Sequence, residues 1–128
     1  MQGLLETPSE QRGLFSENFL DPILRHHYEN IATGNFKRND DGSVSTVFTR
    51  QVDLNGVPTL IPSVYGGKIL SEEAAIKRAL DSKIAWPTAR THQELREYDI
   101  RLHENMLPIN ANEAALILER FTPKGLLE

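Results

Sequence analysis

The spacing of apolar residues changes character along the chain. In residues 1–20 they come in clumps, Leu4-Leu5, Leu14-Phe15 and Phe19-Leu20, interrupted by Gly3, Pro8 and Gly13. No helical or strand period runs through them, so the stretch reads as an arm. From Ile23 the spacing becomes helical, with Ile23, Leu24, His27, Tyr28 and Ile31 on one face. Asp21 is a favoured N-cap, Pro22 suits the first helical position, and Gly34 sits where a left-handed C-terminal residue belongs. The pattern predicts a helix over 21–34. Asn39-Asp40-Asp41-Gly42 then reads as a turn.

Between Ser43 and Leu70 the β-branched content predicts an antiparallel meander. Asn55-Gly56 is a strong two-residue hairpin signal, since a type I′ turn needs positive φ at both central residues. That loop sets a register: Leu54 opposite Val57, Val52 opposite Thr59, Arg50 opposite Ile61 and Phe48 opposite Ser63. Gln51 then faces Leu60 and Val47 faces Val64, so apolar residues lie on both faces of the sheet. Pro58 and Pro62 remove N–H groups on one side of the return strand, which should therefore pair on one side along much of its length. Gly66-Gly67 offers a second turn into Lys68-Ile69-Leu70.

Two helices should follow. Ser71 caps 71–85, with Glu72 and Glu73 in its first turn and Ala75, Ile76, Ala79, Leu80 and Ile84 as its buried stripe, ended by Trp86-Pro87. Thr91-His92-Gln93-Glu94 has the form of a capping box for 91–107, with Leu95, Tyr98, Leu102 and Met106 behind it and Pro108 as its stop. Asn110 and Glu113 can cap a last helix within 108–128. Its apolar side would include Leu116, Ile117 and Phe121, and Pro123 would end it. The expected fold is α+β: a small antiparallel β-meander followed by two helices, with helical or extended arms at both ends. The division is an arm over 1–20, a core over 21–107 (flanking helix 21–34, meander 43–70, helices 71–85 and 91–107), and a C-terminal helix and tail over 108–128.

The 128 residues suffice for one small domain with arms. There is no cysteine, which removes disulfides, thiol nucleophiles and cysteine zinc sites. A formal charge of -4 argues against a general nucleic-acid binder, and Arg25 with Lys37-Arg38 is too small a basic cluster for one. No apolar run approaches a membrane span, and the N-terminus lacks the features of a signal peptide.

Candidate chemistry is sparse. His26 and His27 are adjacent, so on a helix they diverge too far to share an ion, while His92 and His103 stand alone. His103-Glu104 lacks the second histidine of a metalloprotease helix. Asn39–Gly42 fails as a calcium loop, because Lys37 and Phe48 occupy its required acidic positions. Glu72, Glu73, Glu94, Glu97 and Glu113 are explained by helix starts or exposed faces. The reading expects no catalytic residue, no metal and no cofactor.

Three runs of residues, Gly42-Ser43-Val44-Ser45-Thr46-Val47, Val52-Asp53-Leu54-Asn55-Gly56, and Thr59 through Ser71 with its Leu60-Ile61-Pro62-Ser63-Val64 core, precede an alanine-rich helix and a helix ending in Leu102-His103. This half of the chain resembles a short module of tailed-bacteriophage virion-associated proteins. The linker Ala85-Trp86-Pro87-Thr88 departs from that module's glycine-rich aromatic turn, which leaves the orientation of the second helix open. The resemblance implies a virion component, a non-enzymatic structural protein of the tail, head–tail junction or capsid surface. It implies other virion proteins and copies of itself as partners, and carries over no catalytic residues. The alternative is an accessory binding module of a phage cell-wall-degrading or DNA-ejection apparatus. A glycan-binding role would want exposed aromatic pairs, for which Trp86 with Tyr98 is the candidate.

The candidate partner-binding residues are Leu4, Leu5, Leu14, Phe15 and Phe19 in the arm and Leu126 and Leu127 in the tail. Burying one such side chain is worth roughly 1.5–3 kcal/mol, against roughly 1–2 kcal/mol for ordering each backbone residue. Docking the arm on a small core is then near break-even, and a partner surface supplies the missing contacts. Gly-Leu-Leu-Glu occurs twice, at Gly3–Glu6 and Gly125–Glu128. The recurrence is either two copies of one docking peptide or chance among common residues, and chance is the simpler reading.

Overall fold

The structure is a computed structural model and describes residues 20–106 and 109–121. Helix α1 (Pro22–Thr33) opens the fold. The short strands β1 (Lys37–Arg38) and β2 (Val44–Ser45) pair around the Asn39–Gly42 turn. β3 (Arg50–Leu54) pairs with β4 (Val57–Ile61), and β5 (Val64–Tyr65) with β6 (Lys68–Ile69). Helices α2 (Glu72–Ser82), α3 (His92–Glu104) and α4 (Ala111–Arg120) follow. The fold is α+β, with the strands in three separate antiparallel pairs rather than one continuous sheet.

The helix starts follow their capping chemistry. The Asp21 carboxylate accepts the Ile23 amide at 2.7 Å, and Gly34 closes α1 at φ 78. Asn110 and Glu113 form a complete capping box on α4. At α3 only half the expected box forms. Thr91 accepts the Glu94 amide at 3.1 Å, but the Glu94 carboxylate turns to the Arg90 amide and guanidinium.

The β3–β4 register is as expected, from Leu54↔Val57 through Val52↔Thr59 to Arg50↔Ile61. The amides of Pro58, Leu60 and Pro62 would face the outer edge of β4. Only Leu60 has an N–H there, and it donates to Pro87 at 2.8 Å, beside the single bridge Thr59↔Thr88.

The expected Phe48–Ser63 and Val47–Val64 pairings do not form. Phe48 leaves the extended region at φ 42. Ser63 donates its amide to Val47 O at 2.7 Å and its hydroxyl to Phe48 O at 2.5 Å. Asn30 meanwhile donates to Thr46 O at 2.7 Å. Tertiary hydrogen bonds thus replace ladder bonds through residues 46–49, which breaks the long predicted strand in two.

Two helices are shorter than expected. The C-terminal end of α2 comes a turn before Trp86. Ser82 Oγ and the Trp86 indole N–H both donate to Ala79 O, and Lys83 turns left-handed at φ 59. Leu80 and Ile84 are consequently exposed instead of completing the buried stripe. α3 stops at Asn105, whose side chain caps Arg101 O at 2.7 Å.

The core gathers Leu20, Ile23, Leu24 and Tyr28 from the α1 region, Val52, Leu60 and Ile61 from β3–β4, and Ala75, Ala79, Leu95 and Leu102 from α2 and α3. Ala114, Ile117, Leu118 and Phe121 face it from α4 at helical spacing, which leaves Leu116 64% exposed rather than on the apolar side. No helix among the described residues is long and apolar enough to cross a membrane.

Candidate binding groove

A groove of about 850 Å³ opens between α1, the β5–β6 turn and the C-terminal end of α2. Leu20, Ile84 and Trp86 give it an apolar floor, and Arg25, Glu29 and Arg78 give it charge. Each side chain is placed by a local device. Trp86 is held by its indole N–H, which donates to Ala79 O and Ser82 Oγ, both at 3.3 Å. The Arg78 guanidinium lies 4.2 Å from the Tyr65 ring centroid. The Arg25 guanidinium reaches the Phe121 carbonyl at 3.5 Å, at the end of α4.

His26 sits beneath, in edge contact with Tyr65 at 4.8 Å and Trp86 at 6.4 Å. Its Nε2–H donates to Val64 O at 2.7 Å, a carbonyl that also accepts from Asn30 at 3.2 Å. Burial pushes its pKa down, opposed by that hydrogen bond, with a smaller push from Arg78 in the same direction as burial. Because the Val64 carbonyl can only accept, the His26 Nε2 carries a proton. Burial raises the Tyr65 phenol, and nearby Arg78 opposes it.

The other histidines part company as their spacing implies. His27 Nδ1 shares a hydrogen bond with the Thr46 hydroxyl at 2.6 Å. His92 Nε2 meets Asp53 at 2.9 Å and ties α3 to β3. His103 meets Asp99 on its own helix, and the same Asp99 carboxylate accepts the Thr49 hydroxyl at 2.9 Å. The Asp99 contact raises the His103 pKa. Among the described residues no three His, Cys, Asp or Glu side chains gather as a metal-binding group.

Two carboxylates accept hydrogen bonds from distant elements. One is Asp99, which patterning did not single out. The other is Asp21, which patterning marked only as an N-cap; it is buried, caps α1 and accepts a hydrogen bond from the Tyr98 hydroxyl. Burial raises its pKa against the pull of these hydrogen bonds. Its N-cap position was legible; its burial under α3 depends on tertiary packing. The Trp86–Tyr98 pair is not an exposed aromatic platform. Trp86 is 8% exposed and turned toward His26, and the Tyr98 hydroxyl is engaged by Asp21. The candidate contact residues Leu4, Leu5, Leu14, Phe15, Phe19, Leu126 and Leu127 lie outside the described residues.

The two shifted histidines should titrate on opposite sides of their ordinary value of 6.5. As pH falls through 6.5, unfolded chains take up a proton that folded His26 resists, so His26 lowers stability in that window. His103 contributes stability that is complete below 6.5 and is lost as pH rises through its raised folded value. Ring-proton NMR should place the His26 midpoint below 6.5 and the His103 midpoint above it. The reverse order would contradict these environments. Comparison with protein-family models, with curated proteins and with solved structures finds no match in any of the three.

Proposed function

We propose that this chain is a non-enzymatic structural component of a tailed-phage virion, in the tail, the head–tail junction or on the capsid. It acts through contacts with its own copies and with other virion proteins. The resemblance of residues 42–103 suggests the setting, and the presentation of Phe48 carries the mode of action. Phe48 is 47% exposed and held at φ 42, a conformation that costs an L-residue roughly 1–2 kcal/mol. A bulky aromatic in that state is uncommon, and such strain concentrates at functional positions.

The device that holds Phe48 is the Leu60-Ile61-Pro62-Ser63-Val64 run itself. Leu60 and Ile61 are fully buried, and Pro62 has no N–H to offer a ladder. Ser63 fastens the Val47 and Phe48 carbonyls, while Val64 O receives His26 and Asn30. The residues that carry the resemblance therefore have structural work, and its visible product is an outward phenyl ring flanked by the Arg50 guanidinium at 5.4 Å.

Phe48→Asp tests this. Aspartate tolerates the left-handed backbone better than phenylalanine, so folding should persist, as circular dichroism will show. In particles assembled from a mixture of both chains, wild type should be enriched by about tenfold or more, the effect of losing a contact worth at least ~1.4 kcal/mol. Equal incorporation of the folded variant would remove the main support for the reading.

A further inference from the structure

The two outer edges of the β3–β4 pair differ in kind. On β4 the positions whose amides face outward are Pro58, Leu60 and Pro62. Two of these have no N–H, and Leu60 donates to Pro87 O at 2.8 Å, while Pro58 O accepts the Ala89 amide at 3.1 Å. On β3 the same alternation turns the N–H and C=O of Gln51 and Asp53 outward. Among the described residues neither backbone finds a hydrogen-bond partner on that side, and β3 holds no proline or lysine to blunt the edge. The faces are already covered, since Val52 and Leu60, on opposite faces, are both buried. What this edge lacks is a strand.

β3 of a second copy supplies one. Antiparallel pairing about Val52 sets Gln51 opposite the second copy's Asp53, and Asp53 opposite its Gln51. Every outward amide and carbonyl then meets an outward counterpart. The Gln51 side-chain amide can donate to the facing carboxylate, of which His92 engages one oxygen at 2.9 Å. Neighbouring registers are worse. Centring on Asp53 sets two carboxylates directly opposite each other. Centring on Gln51 needs Thr49 in the ladder, yet Thr49 follows the φ 42 break at Phe48 and its hydroxyl is held by Asp99. A one-residue slip faces outward groups with inward ones. In the favoured register Phe48 comes level with the second copy's Gly56, beside Val57, which brings two exposed apolar side chains together.

We propose that two copies of the chain associate by antiparallel pairing of their β3 edges about Val52, joining both β3–β4 pairs into one sheet with two-fold symmetry. This gives the proposed self-contact a geometry and rests on that reading only for the choice of partner. The test needs no particle, so its failure leaves the incorporation test of Phe48→Asp untouched.

Sedimentation of the purified full chain, up to about 1 mM, should show a monomer–dimer equilibrium. Gln51→Pro removes an outward N–H and should weaken the dimer at least about tenfold, while Gln51→Thr keeps that N–H and should stay within about threefold of wild type. Circular dichroism checks that the proline variant folds. The chain has no cysteine, so Val52→Cys and Asp53→Cys each give one thiol, and oxidation reads the register. Directly opposed positions of the Val52 kind lie about 4.5 Å apart at Cα, within disulfide range, and diagonal ones about 7–8 Å apart. Position 52 should form the covalent dimer readily and position 53, though more exposed, should not. A monomer at every concentration overturns the proposal, as does a dimer indifferent to Gln51→Pro. Equal weakening by Gln51→Thr overturns it too, because the side chain and not the backbone would then carry the contact. Cross-linking at 53 as fast as at 52 overturns the register, and decides the matter alone should the proline variant unfold.

Discussion

Leu102→Ala should lower stability by about 2–5 kcal/mol, whereas Leu116→Ala should change it by no more than about 0.5 kcal/mol. The two helical leucines lie at opposite extremes of burial: Leu102 is 0% exposed, on the face of α3 turned to the core, and Leu116 is 64% exposed on α4. Removing Leu102 leaves a cavity among close-packed neighbours, and the cost is the lost transfer energy plus that cavity. A domain of this size has only ~5–15 kcal/mol in total, so the first variant should melt far earlier. Urea unfolding of both variants against wild type reads the difference. Similar midpoints for the two would mean the α3 face is misplaced.

Asn30→Ala should cost about 2–4 kcal/mol, more than its small apolar content explains. Asn30 is buried on α1, and its amide donates to Thr46 O at 2.7 Å and Val64 O at 3.2 Å. Through it the first helix holds both halves of the chain that the break at Phe48 separates. With alanine there, Val64 O keeps His26, but Thr46 O loses this donor in a part-buried setting. A buried acceptor without a partner costs roughly 1–3 kcal/mol, and the vacated volume adds to it. Asn30→Asp should be worse than Asn30→Ala, because a carboxylate set against two carbonyls repels both and donates to neither. Thermal unfolding of the pair gives the order, and an aspartate variant as stable as wild type would contradict the assigned amide orientation.

The elements that local chemistry specifies were legible. Asp21-Pro22 and Gly34 bound α1 because capping and φ preferences act over a few residues. Asn55-Gly56 fixes the β3–β4 register for the same reason. Where distant groups compete for the backbone, pattern misleads. The β-branched run at 43–52 favours one strand, but Asn30 and Ser63 reach in from elsewhere and claim its carbonyls. The apolar period through Leu80 and Ile84 extends α2, until Ser82 and the Trp86 indole take Ala79 O. The groove was not legible at all, since it joins Arg25, Arg78 and Trp86 across more than sixty residues of sequence. Its chemistry is visible only once α1 and α2 are packed.

On the proposed reading the chain's surfaces are its working parts. Phe48 is braced outward, and buried Ser63 and Asn30 hold the backbone of residues 46–48 that presents it. The direct measurement is quantitative mass spectrometry of phage particles purified through a density gradient. The account predicts the chain in those particles at a fixed ratio to the major capsid subunit, unchanged by high-salt washing. Its absence from particles of cells that produce it, or a ratio that falls toward zero with each wash, would contradict the proposal.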